Sequence, residues 1–371
     1  MIRILEVFRE PIANGGQESF LMNMYRNIDR TKIQMDFMTP FTCDNPTLKD
    51  EIICMGGQVF TYDHTFGVNN NHAFKKSITD FLRNHVYTTI HIHSGSTYAL
   101  MEGAKIAKKY GVKNIIVHSH CGGFANIKYY MIKTLSTYPL MKYPTHYCAC
   151  SKLAAEWKFP KKIVENGLYS IIKNAIDLKR FRYDEKQRNE YRTQFGFHGK
   201  FVIGHIGRFA VQKNHSFLID IFEQIALKRS DAELVLVGDG ELKKEIERKV
   251  LDKKLVDRVK FLGLRHDIPE LLNMMDAFVL PSFFEGLPVV GVEAQATGLP
   301  VFCSDRVTRE FPMRELSYFM SLEEAPEKWA HEIIDTCSRL KRYGTTNEMI
   351  DAGYEIKSAA KKLEDFYLKI N

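Results

Sequence analysis

The run Ala277-Phe278-Val279-Leu280-Pro281-Ser282-Phe283-Phe284-Glu285-Gly286-Leu287-Pro288-Val289-Val290-Gly291-Val292-Glu293 decides the fold. Its first residues are apolar, β-branched or aromatic, which predicts a buried parallel strand, and Gly-Leu-Pro puts proline where a helix begins. Glu285 therefore sits in a strand-to-helix turn. Glu293 lies about two turns further along a helix of ~3.6 residues per turn, so the two carboxylates frame one crevice. The N–H groups of Gly286 and Leu287 head the positive helix end, a site for a diphosphate or for sugar hydroxyls. A single glutamate at a helix end is ordinarily a solvated charge. Here Phe-Val-Leu-Pro on one side and Val-Val-Gly-Val on the other leave little open solvent for both.

Upstream, Phe201–Ile206 reads as a strand that stops at Gly207-Arg208-Phe209 and leads through Gln212-Lys213-Asn214 into a helix from about His215 to Lys228. Arg208 offers a planar fork and Lys213 a compact point charge, a pair suited to a diphosphate, although solvated loop charges look the same in isolation. Leu234-Val235-Leu236-Val237-Gly238-Asp239-Gly240 resembles the start of a dinucleotide loop, but Lys243 stands where a third glycine is required. Val259–Gly263 is a further strand, followed by the loop Leu264-Arg265-His266-Asp267. Pro300-Val301-Phe302-Cys303 is read as the final strand, and Lys357–Ile370 as the last helix.

The N-terminal half repeats the alternation. Strands are expected at 2–8, 34–38, 58–61, 89–93, 114–118 and 146–151, with helices between them such as Ala99–Tyr110, which predicts a second parallel sheet covered by helices. Gly15-Gly16 between the first strand and first helix lets the backbone approach a bound group, or is a plain turn. Ligands in such sheets sit at the carboxyl ends of the strands, where His91-x-His93 and His118-x-His120 fall. Four histidines invite a metal, yet only Cys121 is at hand to complete a ligand set, so the expectation is no metal, with His120 and then His118 contacting a substrate. The polar passage Lys179–His198 shows no convincing strand and is read as the domain junction.

At 371 residues the chain exceeds the size of one growing core. Residues 1–180 hold 23 Lys+Arg against 14 Asp+Glu, a net of +9, and the remaining 29 against 31 give −2. The basic surplus suits an anionic partner or is a solvated face. The segment 127–143 mixes lysines with aromatic and apolar residues, as a helix lying in a membrane interface does, though such a helix also packs on its own domain. No stretch approaches the roughly 20 apolar residues of a membrane span, and the charged N-terminus is unlike a signal peptide, which predicts a cytoplasmic protein. Seven scattered cysteines fit reduced thiols.

Taken together, these motifs resemble the retaining glycosyltransferases of the GT-B fold that carry two glutamates separated by seven residues, a family 4-like group with capsular, exopolysaccharide and lipopolysaccharide enzymes. The resemblance runs over nearly the whole chain: Gly15-Gly16, His118-Ser119-His120, Cys150-Ser151, Asn174–Asp177, Gly207-Arg208-Phe209 with Lys213-Asn214, Gly238-Asp239-Gly240, Phe261-Leu262-Gly263 and Glu285–Pro288. It implies an α/β protein of two Rossmann-like domains facing across a cleft. Residues 1–176, with the helix 357–371 crossing back, would bind the acceptor, and 177–356 the nucleotide-sugar, UDP first among the candidates. By that resemblance Arg208 and Lys213 neutralise the diphosphate, Gly286 and Leu287 donate N–H bonds, Glu285 meets the donor sugar, Glu293 accepts the ribose hydroxyls, and the main chain at Leu264-Arg265 meets the base. Gly15 and Gly16 are counted among the donor-binding residues, with His118 and His120 on the acceptor side. The acceptor would be a glycan or lipid-linked glycan at the inner face of the cell membrane.

Retention is the resemblance's implication. The expected route is front-face displacement, with the leaving diphosphate stabilised by protein cations and helix dipoles, which requires no metal or other cofactor. The chain contains no D-x-D carboxylate cluster. The competing enzyme is a nucleotide-sugar epimerase or hydrolase of the same fold. From another class, the basic half could mark a membrane- or nucleic-acid-docking protein, but no recognisable nucleic-acid module accompanies it, and no nucleic-acid partner is expected.

Overall fold

The computed structural model describes every residue except Asn14, Asn69 and 121–126, and leaves aside the side chains of 127–130, 132 and 133. The expectations placed on Cys121-Gly122-Gly123 lie outside the described residues. The chain forms two compact units: Met1–Ala175 with Glu355–Asn371, and Ile176–Tyr354.

The first unit carries strands β1 (Ile2–Phe8), β2 (Ile33–Met38), β3 (Val59–Phe60), β4 (Thr89–Ser94), β5 (Asn114–Ser119), β6 (His146–Ala149) and β7 (Ser170–Ile171), in the spatial order β3-β2-β1-β4-β5-β6-β7. The second carries β8 (Phe201–Ile206), β9 (Ala232–Val237), β10 (Val259–Phe261), β11 (Ala277–Leu280), β12 (Val301–Ser304) and β13 (Ser317–Met320), in the order β10-β9-β8-β11-β12-β13. Every strand pair is parallel. Each sheet is thus doubly wound, and its order reverses once, between β1 and β4 and between β8 and β11. At such a point the loops leave in opposite directions and open a crevice.

Alternation assigns the faces. In the first unit Leu5, Val7, Ile90, Ile92, Ile115 and Val117 pack on one side of the sheet, while Ile4, Phe8, Met35, Phe37, Ile116 and Cys148 pack on the other. The second face is covered by the helix Gly16–Asn27 and by the last helix, Ile356–Ile370. The last helix buries Ile356, Ala359, Ala360, Leu363 and Tyr367 at helical spacing. Burying Ile356 and Leu363 alone contributes about 1.5–3 kcal/mol each.

Two expectations fail here. The passage read as a junction contains a helix, Glu185–Gln194, that belongs to the second unit. Its Arg188 and Arg192 both pair with Asp276, which also accepts the Val202 N–H at 2.7 Å, so the polar helix docks through ions rather than an apolar stripe. Pro300–Cys303 is not the last strand either, because β13 follows at the sheet edge. Among the described residues no helix is long and apolar enough to cross a membrane.

Candidate active site

In the second unit the sequence-singled residues gather on the loops after β8 and β11, the two strands of the order reversal. The helix Val289–Ala296 starts directly after Pro288, so Glu285 does stand in the strand-to-helix turn. Two hydrogen bonds fasten this turn to the β8 loop: the Phe283 N–H donates to the Gln212 carbonyl at 2.9 Å, and the Gln212 amide donates to the Phe284 carbonyl at 3.0 Å. This brings Lys213 Nζ to 2.6 Å from Glu285 Oε1, with side chains only 16% and 9% exposed. A pair so shielded interacts far more strongly than a surface one.

The other charges are arranged differently. Arg208 turns outward onto Glu241 at 3.1 Å, both largely exposed. Arg265 pairs with Asp267, and Leu264 is exposed. Glu293 is partly buried, and burial pushes its carboxyl up to about 7 against the opposing pull of Arg180. Lys213 and Glu285 are therefore brought together, while Arg208 and Arg265 hold local carboxylates of their own.

The β9 loop is pressed against the β8 loop. A Cβ on Gly238 (φ +134°) would lie 2.2 Å from the Gly207 carbonyl oxygen, and one on Gly240 would lie 2.6 Å from that of Phe209. These glycines serve a close approach of two backbones, which agrees with the failure of the dinucleotide pattern. Beneath the same loops, sequence reasoning missed His205 and His215. His205 Nδ1 bonds the Val279 carbonyl at 2.7 Å, and His215 stacks on Phe209 with ring centroids 4.1 Å apart. Burial depresses both, His215 to about 4.

In the first unit the order reversal is lined by neutral polar groups instead. Register sets Glu6 beside His91 and His93 beside His118, all on the face covered by the last helix. Glu6 Oε2 lies 2.7 Å from His93 Nε2, and His93 Nδ1 lies 2.8 Å from His120 Nε2. Tyr367 donates to Glu6 Oε1 at 2.9 Å and meets His91 Nδ1 at 2.6 Å, and His91 Nε2 lies 3.2 Å from His118 Nδ1. Glu6, His91, His93, His118 and Tyr367 are buried; His120 alone reaches the surface. His118 is fully buried, with its ring stacked behind that of His120 at 4.1 Å between centroids. Burial lowers all four imidazoles, His120 to about 3, and raises Glu6 to about 8. Glu6 and Tyr367 were missed, since nothing local in the sequence links residues this far apart.

Ring nitrogens of His91, His93 and His118 lie within 4.8 Å of one another, near enough to share an ion. The same atoms already face Tyr367, Glu6, His120 and each other, and only His118 Nε2 among these three rings is without a partner. At the glycine loop, Glu18 folds back so that a Cβ on Gly15 would fall 2.5 Å from its carboxylate, and Glu18 Oε1 accepts the Ala13 N–H at 3.2 Å. Glu18 thus ties the loop back onto the first turn of the helix Gly16–Asn27, while Gly16 is open to solvent.

Residues 200–339 match the family model described as glycosyl transferases group 1. The chain is 31% identical over 98% of its length to a putative glycosyltransferase, EpsF, of Bacillus subtilis (strain 168), covering 96% of that protein. It is 30% identical to an Escherichia coli UDP-Gal:alpha-D-GlcNAc-diphosphoundecaprenol alpha-1,3-galactosyltransferase over 62% of this chain and 60% of the other. Among solved structures, Anabaena Alr3699/HepE in complex with UDP superposes with a TM-score of 0.70 at 19% identity, covering 100% of this chain and 97% of that one. The fold is GT-B, and neither the epimerase or hydrolase reading nor the docking-protein reading is favoured by these relatives.

Proposed function

The chain belongs to the group 1 glycosyltransferases, and from that premise we propose that it moves a hexose from a nucleotide-sugar, a UDP-sugar first, to a glycan or lipid-linked acceptor, with retention, in cell-surface polysaccharide assembly. The observation that carries this reading is the shielded Lys213–Glu285 pair at the reversal between β8 and β11, where a doubly wound sheet takes its ligand. The names of the relatives support it: one uses UDP-Gal with a diphosphoundecaprenol-linked sugar, and one structural neighbour holds UDP.

In this reading Lys213 neutralises the diphosphate and Glu285 orients the donor sugar. Arg208 leaves Glu241 for the phosphates, an exchange that costs about 0–1 kcal/mol because an exposed pair is worth little. Gly286 and Leu287 supply N–H donors, Glu293 takes the ribose, and Leu264-Arg265 meets the base. Gly15 and Gly16 approach the ligand, and His120 faces the acceptor side. The leaving phosphate accepts the acceptor's proton in a front-face step. Because the cations are protein side chains, EDTA leaves activity unchanged, and proton NMR of the first product shows the donor's anomeric configuration.

A thermal-shift panel of UDP, GDP and ADP tests the site. A ligand at 100 times its Kd adds about 2.7 kcal/mol, and Arg208→Ala or Glu293→Ala removes that shift. Two variants that still respond like the parent protein would overturn the assignment.

The chain works at the inner face of the cell membrane. Met131, Leu135 and Tyr138 recur at helical spacing and are 61%, 76% and 80% exposed. Tyr138 also lines a groove of about 710 Å3 with Met141, Phe159, Lys161, Lys162, Glu156 and Glu165. The exposed apolar row suits the headgroup boundary of a lipid surface, and the basic surplus of residues 1–180 favours an anionic one. Leu135→Glu combined with Tyr138→Glu should abolish flotation with phosphatidylglycerol vesicles while leaving the UDP-induced shift intact; undiminished flotation sinks the membrane assignment.

A further inference from the structure

We infer that Glu6, His93 and His120 form a proton relay in which Glu6, buried beneath the reversal between β1 and β4, decides whether His120 Nδ1 offers a lone pair or a proton to a sugar hydroxyl. The inference rests on the reading of His120 as substrate-facing. Glu6 and His93 are positioning residues, since neither has exposed surface.

The links are Glu6 Oε2 to His93 Nε2 at 2.7 Å and His93 Nδ1 to His120 Nε2 at 2.8 Å. A neutral imidazole carries one N–H, so fixing one ring nitrogen as donor makes the other an acceptor. With Glu6 ionised, His93 donates from Nε2 to the carboxylate. Its Nδ1 then accepts the Nε2–H of His120, which leaves His120 Nδ1 with a bare lone pair. A proton entering at His120 Nδ1 reverses the chain. The Nε2–H of His120 passes to His93 Nδ1, the Nε2–H of His93 passes to Glu6 Oε2, and His120 Nδ1 becomes a donor. One proton has been bound, the carboxylate charge is gone, and every ring is neutral before and after.

Two features favour this over protonating a ring. Centroids of the four imidazoles lie between 4.1 and 5.2 Å from their neighbours in a buried cluster, so an imidazolium would be desolvated, and a second one would also be repelled by the first. Tyr367 holds Glu6 from the other oxygen without joining the relay. It donates to Oε1 and accepts from His91 Nδ1–H; His91 Nε2 then accepts from His118. This order ends the second arm on a lone pair at His118 Nε2, the atom that lacks a partner. The titratable groups facing Glu6 are His91 and His93 from β4, Tyr367 from the last helix and Cys148 from β6, with His118 and His120 one ring beyond; the helix Gly16–Asn27 sets Phe20 against the rings. Burial raises the Glu6 carboxyl to about 8, so the switch falls near neutrality rather than in acid.

The test is side-chain 15N NMR of histidine-labelled full-length protein titrated from pH 6 to 9. His120, assigned by its loss in His120→Asn, should change Nδ1 from protonated to unprotonated as pH rises, with no imidazolium signal. Glu6→Gln keeps both hydrogen bonds but cannot pass a proton, so its tautomer should be fixed. The pH-dependent limb of kcat/KM should flatten, while the UDP-induced thermal shift persists. An imidazolium in the wild type, a tautomer that still switches in Glu6→Gln, an unaltered pH profile, or stoichiometric metal bound to the purified protein would each overturn the relay. The wild-type titration needs no transferase assay, and the one variant it uses, His120→Asn, serves only to assign the signal. A failed donor assignment would show instead in the UDP shift.

Discussion

The two sheets share one strand order, and their reversal points are furnished with opposite chemistry. Beneath β8 and β11 lies an ion pair, Lys213 with Glu285, shielded but charged. Beneath β1 and β4 lies a hydrogen-bonded cluster of four imidazoles, a tyrosine and one carboxyl group, whose shifts all favour neutral forms. The same topology thus makes one crevice suited to an anion and another suited to uncharged hydroxyls. Backbone order fixes where a ligand goes, and the side chains at the strand tips fix which kind.

The sharpest way to break this contrast is to remove one titratable side chain from each side. Lys213→Ala strips the partner from a carboxylate that is 9% exposed, and breaking such a pair costs about 3–5 kcal/mol, read as a fall in the denaturation midpoint at constant m-value. Donor binding should vanish with it. Glu6→Gln, in contrast, keeps partners for both side-chain atoms and deletes no counter-charge, so its cost stays within about 1 kcal/mol. Equal losses in the two variants would mean that the first unit's cluster is an ionic site after all.

Much of this was legible in the residues. Alternation gave away the faces of β1, β4 and β5, and the turn at Glu285 announced itself by proline after an apolar run. The histidines of β4 and β5 were legible as strand-tip residues. What escaped was tertiary. Glu6 and His93 are neighbours only because β1 pairs with β4, and Tyr367 joins them from the far end of the chain. The helix Glu185–Gln194 has no apolar periodicity, because arginines on Asp276 hold it in place, and β13 is a short edge strand with few residues to carry a pattern. Gly238 and Gly240 failed the dinucleotide pattern in the sequence, and only the packing of one loop on another explains why glycine stands there. Arg208 and Lys213 read as a matched clamp, yet without a phosphate each takes the nearest carboxylate.

A subtler separation lies in acid. Each strongly lowered histidine contributes stability that is present above its unfolded value of 6.5 and lost as pH falls, because only the unfolded chain takes up the proton. Glu6, raised to about 8, has the opposite sign: its contribution is present below 4.5 and lost as pH rises through 8. Between pH 6.5 and 4.5 four depressed imidazoles stand against one raised carboxyl in the first unit, a net of about three protons, with the weaker shifts of His146 and Glu18 opposing each other. In the second unit His205 and His215 stand against Glu293, a net of about one. One proton corresponds to about 1.4 kcal/mol per pH unit, so the first unit should lose up to ~4 kcal/mol per unit and the second ~1.4. Pulse proteolysis in urea at pH 7, 6 and 5 should therefore show the midpoint for peptides of 1–175 falling more steeply with acid than that for 176–354. An equal or shallower fall for the first unit would mean that the imidazole cluster takes up protons in the folded protein, and the neutral crevice would have to be redrawn as a cationic one.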